Sequence, residues 1–247
     1  MIKTIISNKH LPKDLNFQEG FLLLVDKPKD WTSFDVVNKV RFACKHKLGQ
    51  KKYKVGHAGT LDPLATGLLL ICCGKYTKLI DQLQNQDKSY QFQLKLGFRT
   101  ETYDAESEEI FVANTEKISK NNFEEALDHF RGDIMQKPPI YSAIKIKGQA
   151  LYKLARKGQN VEIKPRPVRI SKLDLVNFDP PLAELDMACT KGTYVRSLAN
   201  DIGENLGVGA YVTQLRRTEV EQFKVEDALT IDQIIDFIKN VDIIIPE

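Results

Sequence analysis

One stretch of this chain gathers the side chains that could do chemistry. Residues 56–67 read Gly-His-Ala-Gly-Thr-Leu-Asp-Pro-Leu-Ala-Thr-Gly, with three glycines and one carboxylate, Asp62. Glycines at this density break both the helical and the strand period, so the stretch is a shaped loop. It runs directly into the apolar residues Leu68 to Cys73. A loop held against a rigid element is where a reactive side chain can be positioned. A carboxylate there can attack, or stabilise, a carbon that develops positive charge. The same Asp-Pro pair also fits a plain turn that closes on its own backbone. No other cluster competes. Cys44, Cys72, Cys73 and Cys189 contain no C-x-x-C pair, and His10, His46, His57 and His129 lack metal-ligand spacing with them. Reduced, packed thiols are expected, with no metal, no dinucleotide motif and no cofactor.

The elements that must hold the loop can be read on either side of it. Phe21 to Val25 is a buried strand ended by the turn signal Asp26-Lys27-Pro28. Thr32 with Asp35 forms a capping box, opening a helix that buries Val36, Val37, Val40 and Ala43 and stops at Gly49. Gly67 to Cys73 fits a strand or a buried helix start equally well. Tyr90, Phe92, Leu94 and Leu96 alternate with polar residues, a half-buried strand whose pattern makes Tyr90 core. Asn122 is expected to cap a helix with Phe123, Ala126, Leu127 and Phe130 on one face, closed by Gly132. Val168 to Phe178 and the alternating Ala183, Leu185, Met187 and Cys189 give two more strands. Val195, Leu198, Ala199, Ile202 and Leu206 form a helical stripe, and Thr230 with Gln233 opens a last helix with Ile231, Ile234, Ile235 and Ile238 buried. Strands and helices interspersed without a βαβ repeat indicate an α+β fold. Residues 1–20 are polar and aperiodic and are expected to form a loose leader, with 21–247 as one domain.

With 247 residues, 42% hydrophobic and 28% charged, the chain has ordinary globular composition, not that of a disordered or disulfide-scaffold chain. Its apolar runs fall far short of the ~20 residues a membrane helix needs, and no signal peptide opens it. A cytoplasmic protein without membrane contact is expected. The net charge of +3 conceals strong blocks. Residues 1–60 carry net +7 and residues 137–172 net +9, whereas residues 101–133 carry −7 and residues 219–247 carry −6. Such segregation fits either solvated surface or a basic face toward a polyanion and an acidic face away from it.

The loop is specific enough to carry a resemblance. Residues 56–67 resemble the catalytic loop of the TruB-type pseudouridine synthases, which make pseudouridine-55 in the T-loop of tRNA. Asp26-Lys27-Pro28 followed by Thr32-Ser33, Lys88-Ser89-Tyr90, the segment Pro139 to Lys145, the segment Lys191 to Ser197 and Leu215-Arg216-Arg217 are similar to further motifs of that family, in the same order. The resemblance implies a pseudouridine synthase fold: a mixed, mostly antiparallel central sheet flanked by helices. A basic RNA-binding inserted segment is expected over 137–172, with Lys145, Lys147, Lys153, Arg156 and Lys157 interleaved by Tyr141 and Tyr152.

The implied reaction breaks the C1′–N1 bond of uridine and joins C1′ to C5. Nothing is oxidised or hydrolysed, so no redox cofactor is needed. The resemblance makes Asp62 the nucleophile, and attack at C1′, attack at C6 and a glycal route all stay open. Arg196 is implied to pair with the aspartate, a role that suits a planar guanidinium. By sequence it falls at a helix start, where the dipole does not favour a cation. Tyr90 is implied to stack on the flipped uracil and help remove the C5 proton, Tyr194 and Leu215 to line the base pocket, His57 to enter the T-loop, and Lys27 to lie near the site. The implied partner is the tRNA T-arm, with no guide RNA or protein partner, and a monomer is expected. A guide-dependent dyskerin-type synthase and a tRNA-folding chaperone are the alternatives. Two positions depart from the family pattern: Asp30 and Ser107 each stand where glycine is usual. The PUA-type domain that many members carry after the last motif is not expected.

Overall fold

The structure is a computed structural model that describes residues 2–142, 144–146, 149–151, 154 and 162–244. Lys147, Tyr152, Lys153, Arg156 and Lys157 of the expected basic segment therefore lie outside the described residues. In chain order the main elements are β1 (Ile5–Ile6), β2 (Phe21–Lys27), α1 (Ser33–Leu48), β3 (Val55–Ala58), β4 (Thr66–Cys73) and β5 (Lys88–Leu96). There follow α2 (Lys120–Asp128), β6 (Gly132–Gln136), β7 (Arg166–Asp179), β8 (Leu182–Cys189), α3 (Val195–Asn205), β9 (Ala210–Val220), β10 (Phe223–Lys224) and α4 (Ile231–Asn240). They fall into two compact units, Met1–Ser89 with Arg216–Glu247, and Tyr90–Leu215.

In the first unit β2 lies between β1, which is parallel to it, and β4, which is antiparallel and runs from Phe21 opposite Cys73 to Lys27 opposite Gly67. The other edge of β4 takes β3 antiparallel and then, in parallel, Arg216 opposite Thr66 and Arg217 opposite Gly67. Paired along both edges and apolar on both faces, residues 66–73 are a buried strand, which settles the ambiguity left by their pattern. Helix α1 starts at the Thr32–Asp35 capping box, buries Val36, Val37, Val40 and Cys44, and ends at Gly49 in the left-handed region. Helix α4 starts at the Thr230–Gln233 box and buries Ile231, Ile234 and Ile238, while Ile235 is half-buried.

The leader is packed and not loose. Ile6, Leu15 and Phe17 are buried, Ile5 and Ile6 pair with Leu22 and Leu23, and Phe17 packs edge-on against Phe21. A two-residue strand and isolated anchors produce no period, which is why the sequence hides them. All four cysteines are free and buried, as expected.

In the second unit the strands lie in the order β9, β5, β8, β7, β6. Tyr90, Phe92, Leu94 and Leu96 of β5 are buried, as are Ala183, Leu185, Met187 and Cys189 of β8. β7 is antiparallel to both β8 and β6, with register shifts between Ile170 and Lys172 and between Leu175 and Asn177. Helix α2 begins one turn earlier than expected. Ser119 is its N-cap, and Asn122 is the third helical residue of the capping box, its side chain reaching back to the cap. Among the described residues, no helix is long and apolar enough to cross a membrane.

Candidate active site

Asp62 sits half-buried on a turn closed by the Ala65 N–H donating to the Asp62 carbonyl at 3.1 Å. Pro63 occupies the second turn position, which its fixed φ suits. The turn is held from three directions within the first unit. Ser33, the first residue of α1, bonds both backbone groups of Leu61: its hydroxyl accepts from the N–H at 2.8 Å and donates to the carbonyl at 3.0 Å. Lys27 is wholly buried, and its ammonium donates to the carbonyls of Trp31, Pro28 and Pro63 at 2.5, 2.9 and 3.4 Å. The Pro63 carbonyl also accepts the Asp30 N–H at 2.8 Å. Arg217, 1% exposed, donates through Nη2 to the Gly59 carbonyl at 3.1 Å and through Nε to the Leu68 carbonyl at 2.7 Å. It thus grips the loop both before and after Asp62. Gly67 makes this approach feasible: its φ is 99°, and a β-carbon there would lie 2.3 Å from the Arg217 carbonyl oxygen. Arg216 in turn locks the Asp26 carboxylate through two bonds, of 3.0 and 2.8 Å.

Two buried cations beside one carboxylate-bearing loop set the local electrostatics. Burial pushes the Lys27 ammonium down to about 8, Asp62 and Asp30 pull it up, and Arg217 pushes it down again. The attraction is mutual, so a charged Lys27 favours an ionised Asp62. His57, on β3, is half-buried, and its Nδ1 has no hydrogen-bond partner among the described residues. Burial and then the Arg217 charge lower its pKa, which keeps the ring neutral at physiological pH.

The remaining expected site residues belong to the second unit, of which Tyr90 and Leu215 are the first and last residues. Both are buried, at 8% and 9% exposure. Tyr194 is the N-cap of α3 but makes no side-chain cap. Buried Gln136 instead fixes the backbone of that residue, accepting the Tyr194 N–H at 2.8 Å and donating to its carbonyl at 3.0 Å. Arg196, 6% exposed, donates to the carbonyls of Thr102 at 2.9 Å and Tyr141 at 3.0 Å, and lies 3.4 Å from the Asp104 carboxylate. That buried carboxylate offsets the cost of a cation at a helix N-terminus. Asp104 is itself fixed by the Thr102 hydroxyl at 2.6 Å and the Glu106 N–H at 3.0 Å.

Residues 45–195 match the N-terminal domain of the TruB family pseudouridylate synthases, and residues 196–242 match the tRNA pseudouridylate synthase B C-terminal domain. The chain belongs to the TruB family. A tRNA pseudouridine synthase B from Phocaeicola vulgatus is 46% identical over 93% of this chain and 97% of that protein. One from Chloroherpeton thalassium is 46% identical over 88% of this chain and 90% of that protein. The crystal structure of a Cbf5-Nop10-Gar1 complex contains a chain that superposes with a TM-score of 0.67 at 26% identity. It covers 94% of this chain, which spans 58% of its length.

Within this TruB-family chain, four supporting residues escaped the motif reading: Ser33, Asp104, Gln136 and Arg217 as loop clamp. Ser33 and Arg217 stand in motifs but without an assigned task, and the Thr-x-Thr-x-Asp pattern at 100–104 was the available signal for Asp104. Gln136 carries no local signal, because its partner is distant in sequence.

Proposed function

We propose that this chain isomerises uridine 55 in the T-loop of tRNA to pseudouridine, with Asp62 as the nucleophile. The observation that carries this reading is the clamped turn at Asp62 in a TruB-family chain whose relatives are named tRNA pseudouridine synthase B along nearly their whole length. The base is flipped out of the RNA at a cost of roughly a few kcal/mol, offset by phosphate contacts from the basic blocks. The C1′–N1 bond then breaks, C1′ bonds to C5, and the C5 proton is removed while N1 gains one, with no net oxidation. Tyr90 and Arg196 complete the catalytic set that the family resemblance assigns. His57, Tyr194 and Leu215 contact the RNA or the base, and Lys27 serves the site through the loop carbonyls it holds. The T-arm of tRNA is the partner, no guide RNA, protein partner or cofactor is required, and the work is done in the cytoplasm.

The test is to incubate the purified chain with unmodified tRNA, or with an isolated T-arm stem-loop, without guide RNA, and to map pseudouridine. Modification at position 55 is expected, and Asp62→Asn is expected to abolish it while tRNA binding persists. A chain that works only when a guide RNA is added fits the guide-dependent alternative instead. An active Asp62→Asn variant removes Asp62 as nucleophile.

A further inference from the structure

Helix α1 shows two faces that differ more than solubility requires. Its inner face puts Val36, Val37, Val40 and Cys44 into the core. Its outer face carries Phe34, Asn38, Phe42 and His46 at four-residue spacing, and the two phenylalanines are 60% and 71% exposed. Exposed rings in such a row mark a contact surface more often than scattered apolar residues do.

These rings are already organised. The Arg41 guanidinium lies 5.8 Å from the centre of the Phe34 ring and is held there by Asn38 at 2.7 Å and the Val55 carbonyl at 3.0 Å. Phe42 and His46 are stacked, with ring planes 4° apart. Charge decides what such a surface would take. Along α1 itself four lysines and arginines stand against one carboxylate, Asp35, and Lys51, Lys52 and Lys54 follow the helix. Protein-docking patches are depleted of charge at their centre, whereas aromatic rings interleaved with Lys and Arg match stacked bases and their phosphates. The face also begins beside the reactive loop, since Ser33, which fixes Leu61, immediately precedes Phe34.

We propose that the outer face of α1 is a second RNA-contact surface, taking an unpaired segment of the substrate RNA outside the modified loop. Its bases stack on Phe34, Phe42 and His46, and its phosphates lie against Lys39, Arg41 and Lys45. This rests on the reading of the chain as a tRNA-modifying enzyme and adds to it a footprint beyond the T-arm.

The test measures affinity by filter binding, separately from pseudouridine formation, for full-length unmodified tRNA and for the isolated T-arm stem-loop. The double variant Phe34→Ser with Phe42→Ser changes only exposed side chains. It is expected to weaken binding of full-length tRNA tenfold or more and to leave stem-loop binding within twofold. Lys39→Glu is expected to show the same selectivity, with a shallower salt dependence for full-length tRNA. Equal loss on both RNAs, or loss on neither, overturns the proposal; the latter result leaves the stripe to a protein partner. If the variants show the selective loss but the wild type forms no pseudouridine, the surface stands and the reading of the activity falls.

Discussion

Lys27 and Arg217 place two buried positive charges around a single carboxylate-bearing loop, and Lys27 is the one able to titrate near neutrality. Burial lowers it from its usual 10.5 to about 8. Between those values the unfolded chain binds the extra proton, so this group's contribution to stability rises with pH across the window. Function runs the opposite way. Above about 8 the neutral amine has two protons for three carbonyls and no longer favours an ionised Asp62. The kcat–pH profile is therefore expected to fall on its alkaline side with an apparent pKa near 8, and Lys27→Met to give a low profile without that limb. A wild-type profile flat across the window counts against the clamp. Asp104 gives a second residue-scale expectation. Asp104→Ala takes a carboxylate from a buried guanidinium, and destabilisation of about 3 kcal/mol is expected by urea unfolding, with reduced kcat. The motifs single out Asp62 and Arg196 because the proposed chemistry calls for a carboxylate and a planar guanidinium. Asp104 and Gln136 were not legible as partners, because they act across the fold on residues far away in sequence.

Local chemistry made most elements readable: the boxes at Thr32 and Thr230, the stop at Gly49, and the alternation of Tyr90 to Leu96 all appear where side-chain type predicts them. The failures are equally physical. Ser119 and Asn122 both satisfy an N-cap, so only the backbone shows which one starts the helix, and the leader strand is too short to show a period. The two departures from family pattern divide instructively. Ser107 uses its hydroxyl to accept the Thr102 N–H at 3.1 Å, a bond glycine cannot make. Asp30 instead adopts the conformation glycine favours, with φ 66°, while its N–H holds the Pro63 carbonyl. Aspartate tolerates that region better than most residues. Asp30→Gly is therefore expected to change stability by less than about 1 kcal/mol, whereas Asp30→Val, β-branched at positive φ, is expected to cost about 1–3 kcal/mol. Urea unfolding of both variants checks this. Because Asp30 also pulls the Lys27 pKa up, Asp30→Gly is further expected to move the alkaline limb of kcat to lower pH.

The motifs run collinearly, so the sequence gives no sign that the chain leaves one compact unit after Ser89 and returns to it at Arg216. Charge, by contrast, was readable at this scale and becomes more informative once the units are known. Each unit carries one basic and one acidic block: 1–60 against 219–247 in the first, and 137–172 against 101–133 in the second. The net +3 is thus the remainder of two internal cancellations and understates the field that a polyanion meets at either basic block. If those blocks neutralise phosphates, tRNA affinity must fall steeply with salt, each released counterion adding about −0.7 to −0.9 to the slope of log affinity against log salt. A slope steeper than about −3, equivalent to four or more phosphates, is expected in a salt titration. Glu116→Gln with Glu125→Gln, both exposed in the acidic block of the second unit, should leave that slope unchanged, because residues facing away from the RNA release no counterions. A flat titration refutes the phosphate assignment of the basic blocks. A slope altered by the glutamine pair places the acidic block against the RNA.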